Sequence, residues 1–471
     1  MDKPTVIVIF GATGDLCIRK LIPSLFHLYR KGMLPKNFRI VAFSRRPMSN
    51  EEYYEFIKEE QKRRKLPNLQ GPEFKKFLKH VSYQEGLFDD PESYKNLKKK
   101  LIGFDTKEFS RCSNKLFYLA VPPDLYPTIL EKLSRHGLTI SCSDGEGWSR
   151  ILIEKPFGRD DESAKNLDQM LGKLFREEQI FRIDHYLAKE TLQNILMFRF
   201  SNMLFEPLWN NKYIEKIELK IYEKLDIAGR GAFYDNVGAL RDVGQNHLLR
   251  MLALIAMEKP QGMNATDIRA ERFRVMKSLQ PIDEKDVEKY TVRGQYKGYR
   301  EEKAVAENST TETYFKLKAF INNKRWNGVP FILESGKGLK ENKAEIVVYL
   351  KEFETYLCPV VGGCNFQNII TFKIQPEEGI SIKFWAKKSG LESDLEPREL
   401  SFNYNEVLGN QKSVEAYERV LYDCIKGDQT FFNSTDEVKA SWKFITPIIN
   451  AWKKTKLHIY EKGGHGPKND L

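Results

Sequence analysis

The chain has 471 residues, 41% of them hydrophobic and 30% charged, which is typical of a globular protein with more than one domain. No apolar run approaches the roughly 18 residues that a membrane span needs, so the sequence excludes an integral membrane protein and favours a cytoplasmic protein with no membrane partner. The formal net charge of +11 fits either a nucleic acid or a small anionic substrate, but the densest basic run, Lys58–Lys65, is interrupted by acids and lacks aromatic residues, which favours a solvated helix face.

A glycine-containing turn follows the first predicted strand. The apolar, β-branched run Thr5–Phe10 is typical of a parallel strand that is buried on both faces. Gly11-Ala-Thr-Gly-Asp-Leu16 comes next, and the pattern from Cys17 to Lys31 predicts a helix that stops at Gly32. Strand, glycine turn and helix in this order are typical of a phosphate site, because amide groups at the helix N-terminus face the anion. The short G-x-x-G pattern also fits an ordinary tight turn.

The second predicted strand, Phe38–Phe43, indicates which coenzyme the chain binds. It ends in Ser44 and Arg45. NAD-binding proteins usually carry an acid at this point for the ribose hydroxyl group, whereas an arginine offers its guanidinium group to a 2′-phosphate. The sequence therefore predicts NADP rather than NAD.

Two further strands are predicted at Lys115–Val121 and Ile151–Ile153. The second runs into Glu154-Lys-Pro-Phe-Gly158. Loops at the carboxyl ends of parallel strands are the places where open α/β sheets bind ligands. Lys155 is therefore a candidate ligand-binding residue, although a lysine before a proline is equally often part of a surface turn.

The stretch Arg182–Glu190 contains several chemically active side chains at the head of a helix predicted from Leu187 to Met203. Because His185 and Lys189 are four residues apart, a helix would place both on one face near its positive N-terminal end, where they would form a clamp for an anion. A solvated polar face near a helix cap is the plainer alternative.

Two segments of the second half contain candidate site residues. Ile217–Glu223 alternates as a strand whose apolar face ends in Glu223, which is either a site residue or a solvated residue beyond the strand. Leu240–Ala256 predicts a buried helix, with His247 between its polar head and its apolar body. A hydrogen-bonded core histidine is the common case, but the preceding Asp242 leaves open a general base that is held by a carboxylate.

The last third of the chain predicts an antiparallel sheet and two helices. The strands are expected at Ala344–Leu350, Ile370–Ile374 and Ile380–Phe384, and the helices at Val414–Ile425 and Val438–Trp452. Residues 461–471 are expected to form a loose tail. The change from strand–helix alternation to longer period-two segments predicts a first domain of residues 1–180 and a second of residues 181–471.

Four motifs in this order resemble the glucose-6-phosphate dehydrogenase family: Gly11–Leu16, Glu154–Gly158, Arg182–Glu190 and Arg241–Leu249. The similarity extends over essentially the whole chain. It implies an α/β Rossmann-type coenzyme domain, then a β+α domain with a large, mostly antiparallel sheet through which homodimers or homotetramers form. It also implies the NADP-dependent oxidation of glucose 6-phosphate at C1 to 6-phosphoglucono-1,5-lactone, the first step of the oxidative pentose phosphate pathway.

The resemblance also implies roles for individual residues. The catalytic pair is His247, which takes the proton of the C1 hydroxyl group, and Asp184, which polarises that base. The substrate-binding residues are His185, Tyr186 and Lys189 at the phosphate, Glu223, Asp242 and Lys337 at the sugar, and Lys20 between coenzyme and substrate. The NADP-binding residues are Gly11, Ala12, Thr13, Gly14, Asp15, Leu16, Arg45, Tyr126 and Lys155. Ile18 and Asn342 stand where the family usually has cations.

The main alternative is a catalytically silent, basic protein on the same fold that binds nucleic acid or a protein partner. The retained aspartate–histidine pair and Arg45 favour an enzyme, and the sequence has no aromatic platform for single-stranded nucleic acid. A hexose dehydrogenase that ignores the 6-phosphate would leave His185 and Lys189 without an anion to bind. Six scattered cysteines with no C-x-x-C pair favour reduced thiols over a disulfide framework or a metal site.

Overall fold

The computed structural model describes residues 3–66, 69, 71–140, 146–352, 366–392, 394–404, 414–468 and 471. The chain divides into two compact units. The first comprises Met1–Gly158, Glu162–Ala188 and Val414–Thr435, and the second comprises Arg159–Asp161, Lys189–Ser413 and Asp436–Leu471. Within the described ranges, no helix is both long enough and apolar enough to cross a membrane.

The first unit is built on a six-stranded parallel sheet. Its strands are β1 (Thr5–Phe10), β2 (Phe38–Ser44), β3 (Val81–Glu85), β4 (Asn114–Leu119), β5 (Ser149–Ile153) and β6 (Ile180–Arg182). They lie in the order β3-β2-β1-β4-β5-β6, so the order reverses between β1 and β4, where such sheets bind ligands. The four predicted strands are confirmed. Two strands are not predicted from the sequence: β3 alternates polar and apolar residues, and β6 has only three residues.

The helices of the first unit follow their strands in chain order. A π-helical turn at Cys17–Leu21 leads into Ile22–Arg30, and the others are Asn50–Arg63, Pro72–Leu78, Pro91–Gly103, Tyr126–Arg135, Asp161–Leu174 and Ala416–Lys426. Local chemistry sets where they begin. Ser49, for example, accepts the backbone N–H of Glu52 while the Glu52 side chain accepts that of Ser49, which together form a capping box.

The helix Ala416–Lys426 belongs to the first unit, although the sequence analysis places it in the second domain. Leu421 and Cys424 are fully buried in the same apolar core as Leu21 and Leu25, so the helix packs into the core of the first unit. The boundary expected after residue 180 stays a prediction. The compact units differ from it in two ways: this helix belongs to the first unit, and the chain passes from the first unit to the second between residues 188 and 189.

The second unit is built on a nine-stranded mixed sheet. Its strands are β7 (Ile214–Tyr222), β8 (Thr291–Tyr296), β9 (Tyr314–Ala319), β10 (Phe331–Gly336), β11 (Lys343–Leu350), β12 (Ile369–Gln375), β13 (Gly379–Lys387), β14 (Leu395–Asn403) and β15 (His458–Tyr460). They lie in the order β14-β13-β12-β11-β7-β10-β9-β8-β15. Two pairs, β7 with β10 and β8 with β15, are parallel and the rest are antiparallel. The predicted fold class, including the β12–β13 hairpin, is confirmed.

The helices of the second unit include one that is apolar throughout. They are Glu190–Phe200, Gly231–Tyr234, the π-helical segment Leu240–Leu248 with its continuation Leu249–Ala256, Ala265–Lys277, Val287–Tyr290 and Thr435–Trp452. Every residue of Leu249–Ala256 is buried, as its unbroken apolar sequence predicts. Between Ala265–Lys277 and Thr435–Trp452 lies a fully buried ion pair, Arg272 with Glu437.

The expectations for the C-terminal tail and for the cysteines are wrong in this structure. Gly463 donates to the Gly338 carbonyl oxygen at 2.7 Å and Lys340 donates to that of Gly464 at 2.9 Å, so this part of the expected loose tail is hydrogen-bonded. Cys112 is disulfide-bonded, whereas Cys17 and Cys424 are buried free thiols. The contacts of the tail join residues far apart in the chain, and such contacts cannot be deduced from composition and spacing.

Candidate active site

The glycine turn after β1 has a backbone that requires glycine. Gly11 has φ +84°, and a Cβ atom on it would lie 2.4 Å from the Ala120 carbonyl oxygen. Its N–H donates to the Phe43 carbonyl oxygen at 3.0 Å, and Gly14 N–H donates back to the Gly11 oxygen at 2.8 Å. The turn is therefore fixed at the carboxyl ends of three adjacent strands, in the strand–turn–helix arrangement that suits a phosphate group.

Arg45 lies next to this turn. Thr13 Oγ1 and Ser44 Oγ share a hydrogen bond of 2.8 Å, which ties the turn to the last residue of β2. Arg45 is the next residue along the chain and is exposed. Arg45 therefore follows β2 at the point where the ribose of a bound dinucleotide is expected in this type of fold.

The stretch that begins at Arg182 differs from the prediction. Asp184 Oδ1 accepts the Tyr186 N–H at 3.0 Å and the Asp184 carbonyl oxygen accepts the Leu187 N–H at 3.1 Å, so these residues form a turn. The helix begins only at Glu190. The prediction that His185 and Lys189 share a helix face is therefore wrong, because an aspartate side chain that bonds the nearby backbone competes with helix formation.

Lys189 immediately precedes that helix and contacts an acid that the sequence analysis did not single out. Its backbone is extended, with φ −73° and ψ 137°. Its Nζ lies 3.5 Å from Glu378 Oε1, and Glu378 Oε2 accepts the Thr191 N–H at 3.2 Å. Glu378 lies in the β12–β13 turn. The turn is readable from the sequence, but its approach to Lys189 depends on tertiary structure.

The second unit brings three predicted sugar-binding residues together. Glu223 follows β7 and Lys337 follows β10, and these strands are parallel neighbours, so both side chains start from the same end of the sheet. Lys337 Nζ contacts Glu223 Oε2 and lies 3.5 Å from Asp242 Oδ2. It also lies 5.3 Å from the centroid of the Tyr234 ring. One buried ammonium group thus joins two carboxylates and an aromatic face.

The backbone around Lys337 is held from two directions. Its N–H donates to the Thr313 carbonyl oxygen at 2.9 Å, and its own carbonyl oxygen accepts the Tyr460 hydroxyl group at 2.6 Å. Tyr460 is the last residue of β15. The C-terminal strand therefore fixes the position of Lys337, a role that no local sequence signal indicates.

His247 lies in the π-helical segment Leu240–Leu248, which also contains Asp242. His247 is 2% exposed, and its backbone N–H donates to Asn246 Oδ1 at 2.6 Å. Glu312 Oε1 accepts the Leu240 N–H at 3.0 Å and fixes the start of the segment. Widened helical turns of this kind occur often at functional sites. Burial alone is compatible with both a base and a core histidine.

The remaining candidate residues lie in the first unit. Tyr126 is fully buried and its hydroxyl group donates to the Glu154 carbonyl oxygen at 3.1 Å, immediately before Lys155. Asp184 is 2% exposed. Lys20 Nζ pairs with Glu415 Oε2 at 3.3 Å.

Comparison with known proteins assigns the family. Residues 8–194 match the family described as "Glucose-6-phosphate dehydrogenase, NAD binding domain", and residues 196–470 match "Glucose-6-phosphate dehydrogenase, C-terminal domain". The chain belongs to the glucose-6-phosphate dehydrogenase family. It is therefore an oxidoreductase with the reaction of that family, the oxidation of glucose 6-phosphate at C1.

Individual glucose-6-phosphate dehydrogenases match over nearly their whole length. A glucose-6-phosphate 1-dehydrogenase of Chlamydia muridarum is 40% identical, covering 96% of this chain and 91% of the relative. A cytoplasmic glucose-6-phosphate 1-dehydrogenase of Arabidopsis thaliana is 39% identical, covering 98% and 89%. A solved glucose-6-phosphate dehydrogenase in complex with glucose 6-phosphate has a TM-score of 0.89 and 35% identity, covering 99% of this chain and 96% of the other.

The two departures from the glucose-6-phosphate dehydrogenase pattern have structural explanations. Ile18 is fully buried in the apolar core with Leu21 and Leu25, so an apolar side chain fits this position better than a cation does. Asn342 Oδ1 accepts the Lys224 N–H at 2.7 Å and so fixes the residue that follows Glu223.

Proposed function

We propose that the chain oxidises glucose 6-phosphate with NADP in the cytoplasm, and that the candidate residues above bind the two ligands and catalyse the reaction. The observation that supports this most strongly is the contact of Lys337 with Glu223 and Asp242, because it gathers hydrogen-bonding groups for a sugar beside the helical segment of His247. The Arabidopsis thaliana relative, which is named cytoplasmic, supports the location.

The glycine turn and Arg45 fit a dinucleotide phosphate. The space that a Cβ atom on Gly11 would fill is already occupied by the Ala120 backbone, so the chain packs as closely there as a coenzyme turn requires. NADP, when bound, supplies the nicotinamide ring that accepts a hydride from C1. Gly11, Ala12, Thr13, Gly14, Asp15, Leu16, Arg45, Tyr126 and Lys155 are the residues proposed to hold it.

The proposed chemistry of the chain is proton removal at C1. His247 takes the proton of the C1 hydroxyl group as the hydride leaves, since a histidine is well matched to this task near neutral pH. Asp184 orients the imidazole and stabilises its protonated form. His185, Tyr186 and Lys189 bind the 6-phosphate, Lys337 with its two carboxylates binds the sugar, and Lys20 lies between substrate and coenzyme.

Arg45→Ala should weaken NADP binding far more than NAD binding. A guanidinium group forms charge-assisted hydrogen bonds with the 2′-phosphate, which are worth roughly 1.5–3 kcal/mol and which NAD cannot make. The dissociation constants of both coenzymes are measured by fluorescence titration. Arg63→Ala, which changes an exposed arginine paired with Glu60, is the control and should leave both constants unchanged. Equal losses for the two coenzymes would show that Arg45 does not recognise the phosphate.

Lys189→Ala should damage recognition of the sugar phosphate. The Lys189 side chain is 23% exposed, and loss of its ammonium group from a partly desolvated anion site should cost about 1.5–3 kcal/mol in transition-state binding. The measurement is kcat/KM for glucose 6-phosphate and for free glucose. Lys297→Ala, an exposed lysine paired with Glu461, is the control. If Lys189→Ala loses the same factor on both sugars, Lys189 does not bind the phosphate.

The assembly proposed is a homodimer or homotetramer formed through the second sheet. On β7, Ile217, Leu219 and Ile221 are buried, whereas the opposite face carries charged groups. Burial alone would raise the pKa of Glu218, but this carboxylate accepts hydrogen bonds from Lys216 and Lys220, and together with the two lysine charges these lower its pKa to about 2. This face is thus polar, and its charges are paired within the chain. Light scattering of the purified protein tests the assembly.

One assay tests the function as a whole. The purified protein is mixed with glucose 6-phosphate or glucose and with NADP or NAD, and the absorbance of reduced nicotinamide is followed. We expect rapid reduction with glucose 6-phosphate and NADP, slow or no reduction with glucose, and weaker use of NAD. A protein inactive with every pair would favour the silent nucleic-acid or partner-binding alternative.

A further inference from the structure

We propose that Glu154 is a positioning residue for this reaction, whose carboxylate, held by the hydroxyl groups of Tyr118 and Tyr417, keeps Lys155 and His185 in their working positions. The inference rests on the proposed function, because it assigns a task to a residue beside the proposed coenzyme and phosphate ligands. No role for Glu154 follows from the family pattern that identifies those ligands. All five residues lie in the first unit.

Glu154 directly follows β5 and precedes Lys155 in the chain. Tyr118, fully buried on the adjacent strand β4, donates its hydroxyl hydrogen to Glu154 Oε1. Tyr126, also fully buried, donates to the Glu154 backbone oxygen at 3.1 Å. Glu154 is therefore held through both its side chain and its backbone. Because Lys155 is the next residue, the position of its backbone is fixed as well.

Tyr417 extends the contact to the proposed phosphate ligands. It lies on the helix Ala416–Lys426, which packs into the first unit, and its hydroxyl group faces the Glu154 carboxyl group and lowers the pKa of that acid. Its ring stacks on His185, with centroids 6.2 Å apart and planes inclined by 14°. The carboxyl group thus lies between the lysine that follows it and a tyrosine that supports His185.

The carboxyl group of Glu154 ionises near neutral pH. The pKa of its carboxyl group is raised to about 7, chiefly by burial. The hydroxyl donors Tyr118 and Tyr417 and the positive charge of Lys155 lower this pKa, whereas the negative charge of Asp184 raises it. Tyr126 faces the same carboxyl group and its own pKa is raised by burial and by Glu154.

The charged form of Glu154 is the working form. Above its pKa the carboxylate attracts the Lys155 ammonium group and accepts stronger hydrogen bonds from both tyrosines. Below its pKa the neutral acid makes weaker bonds and no longer attracts Lys155. Since the folded pKa is raised from the ordinary value, the charged arrangement is present above about pH 7 and is lost as the pH falls through it.

Glu154→Gln tests this directly, because glutamine keeps the size and one acceptor but never ionises. We expect the ratio of wild-type to variant kcat/KM for glucose 6-phosphate to be near one below about pH 6. It should rise to about tenfold above about pH 8, the lower end for a lost interaction with a charged group. Taking a ratio removes the pH dependence of His247, which both proteins share. Glu131→Gln, an exposed glutamate on the helix Tyr126–Arg135, is the matched control and should give a ratio of one throughout.

Tyr118→Phe provides a second test that leaves the carboxyl group in place. It removes a donor that lowers the pKa of Glu154, so the activity contributed by Glu154 should appear at a higher pH than in the wild type. A wild-type to Glu154→Gln ratio that stays constant from pH 6 to 9, or an unshifted profile in Tyr118→Phe, would overturn the role of Glu154. A wild type that does not oxidise glucose 6-phosphate would instead contradict the proposed function.

Discussion

Replacing His247 by asparagine should lower kcat by at least about 10²-fold while glucose 6-phosphate still binds. Hydride departure from C1 leaves an oxygen that must lose its proton, and asparagine cannot take it. The loss belongs to kcat rather than to binding, because the variant leaves in place the residues proposed to bind the sugar, Lys337, Glu223 and Asp242, with their mutual contacts. The variant is measured by steady-state kinetics and by isothermal titration with the substrate.

The pH dependence separates a base from a packing residue. The rate of the wild type should fall at acidic pH as His247 becomes protonated, and this limb should be lost in His247→Asn. Asp184→Asn should show a smaller loss of the same kind, since the base remains but its support does not. His465→Asn, which changes an exposed histidine, is the control for histidine removal itself. Normal turnover in His247→Asn, or a loss explained by unfolding, would favour the core-packing alternative.

Replacing Glu437 by alanine should lower the free energy of unfolding by about 3–5 kcal/mol, the range for breaking a buried ion pair. Arg272 and Glu437 are both fully buried, with Arg272 Nε 2.9 Å from Glu437 Oε1 and Nη2 3.2 Å from Oε2. Removing the carboxylate leaves a buried guanidinium charge without its counter-ion. The measurement is urea unfolding followed by fluorescence, with the unfolding slope compared between proteins.

Two controls show whether burial of the pair is the cause. Glu284→Ala breaks an exposed pair with Lys454 and should change stability little, because such pairs are solvated. The double variant Arg272→Met with Glu437→Leu should recover much of the loss, since two apolar side chains leave no charge unpaired. A Glu437→Ala protein as stable as Glu284→Ala would show that Arg272 is compensated by other groups.

The coenzyme side of the site is readable from sequence because its parts are consecutive. The run Thr5–Phe10, the glycine turn and the following helix lie next to each other in the chain, and Arg45 follows a strand with a clear apolar pattern. The sequence predicts these elements, and the structure places Arg45 immediately after Ser44, whose side chain is bonded to that turn. The stretch Arg182–Glu190 is also local, but there the Asp184 turn competes with the helix that spacing predicts.

The substrate side depends on contacts that sequence periodicity does not specify. Lys337 meets Glu223 because β7 and β10 pair in parallel, although they lie far apart in the chain. Tyr417 reaches Glu154 because its helix packs on the first unit, and the pattern that predicts the helix does not say which core it joins. Only the resemblance to a family pointed to Lys337, and nothing in the sequence pointed to Tyr417.

The most direct test of the central claim uses glucose 6-phosphate that carries deuterium at C1. We expect the purified protein to transfer the deuterium to NADP, so that labelled reduced coenzyme and 6-phosphoglucono-1,5-lactone appear in equal amounts. His247→Asn should slow the formation of both products together. Reduced coenzyme without deuterium, or no reduction at all, would contradict hydride transfer from C1 and with it the function assigned to this chain.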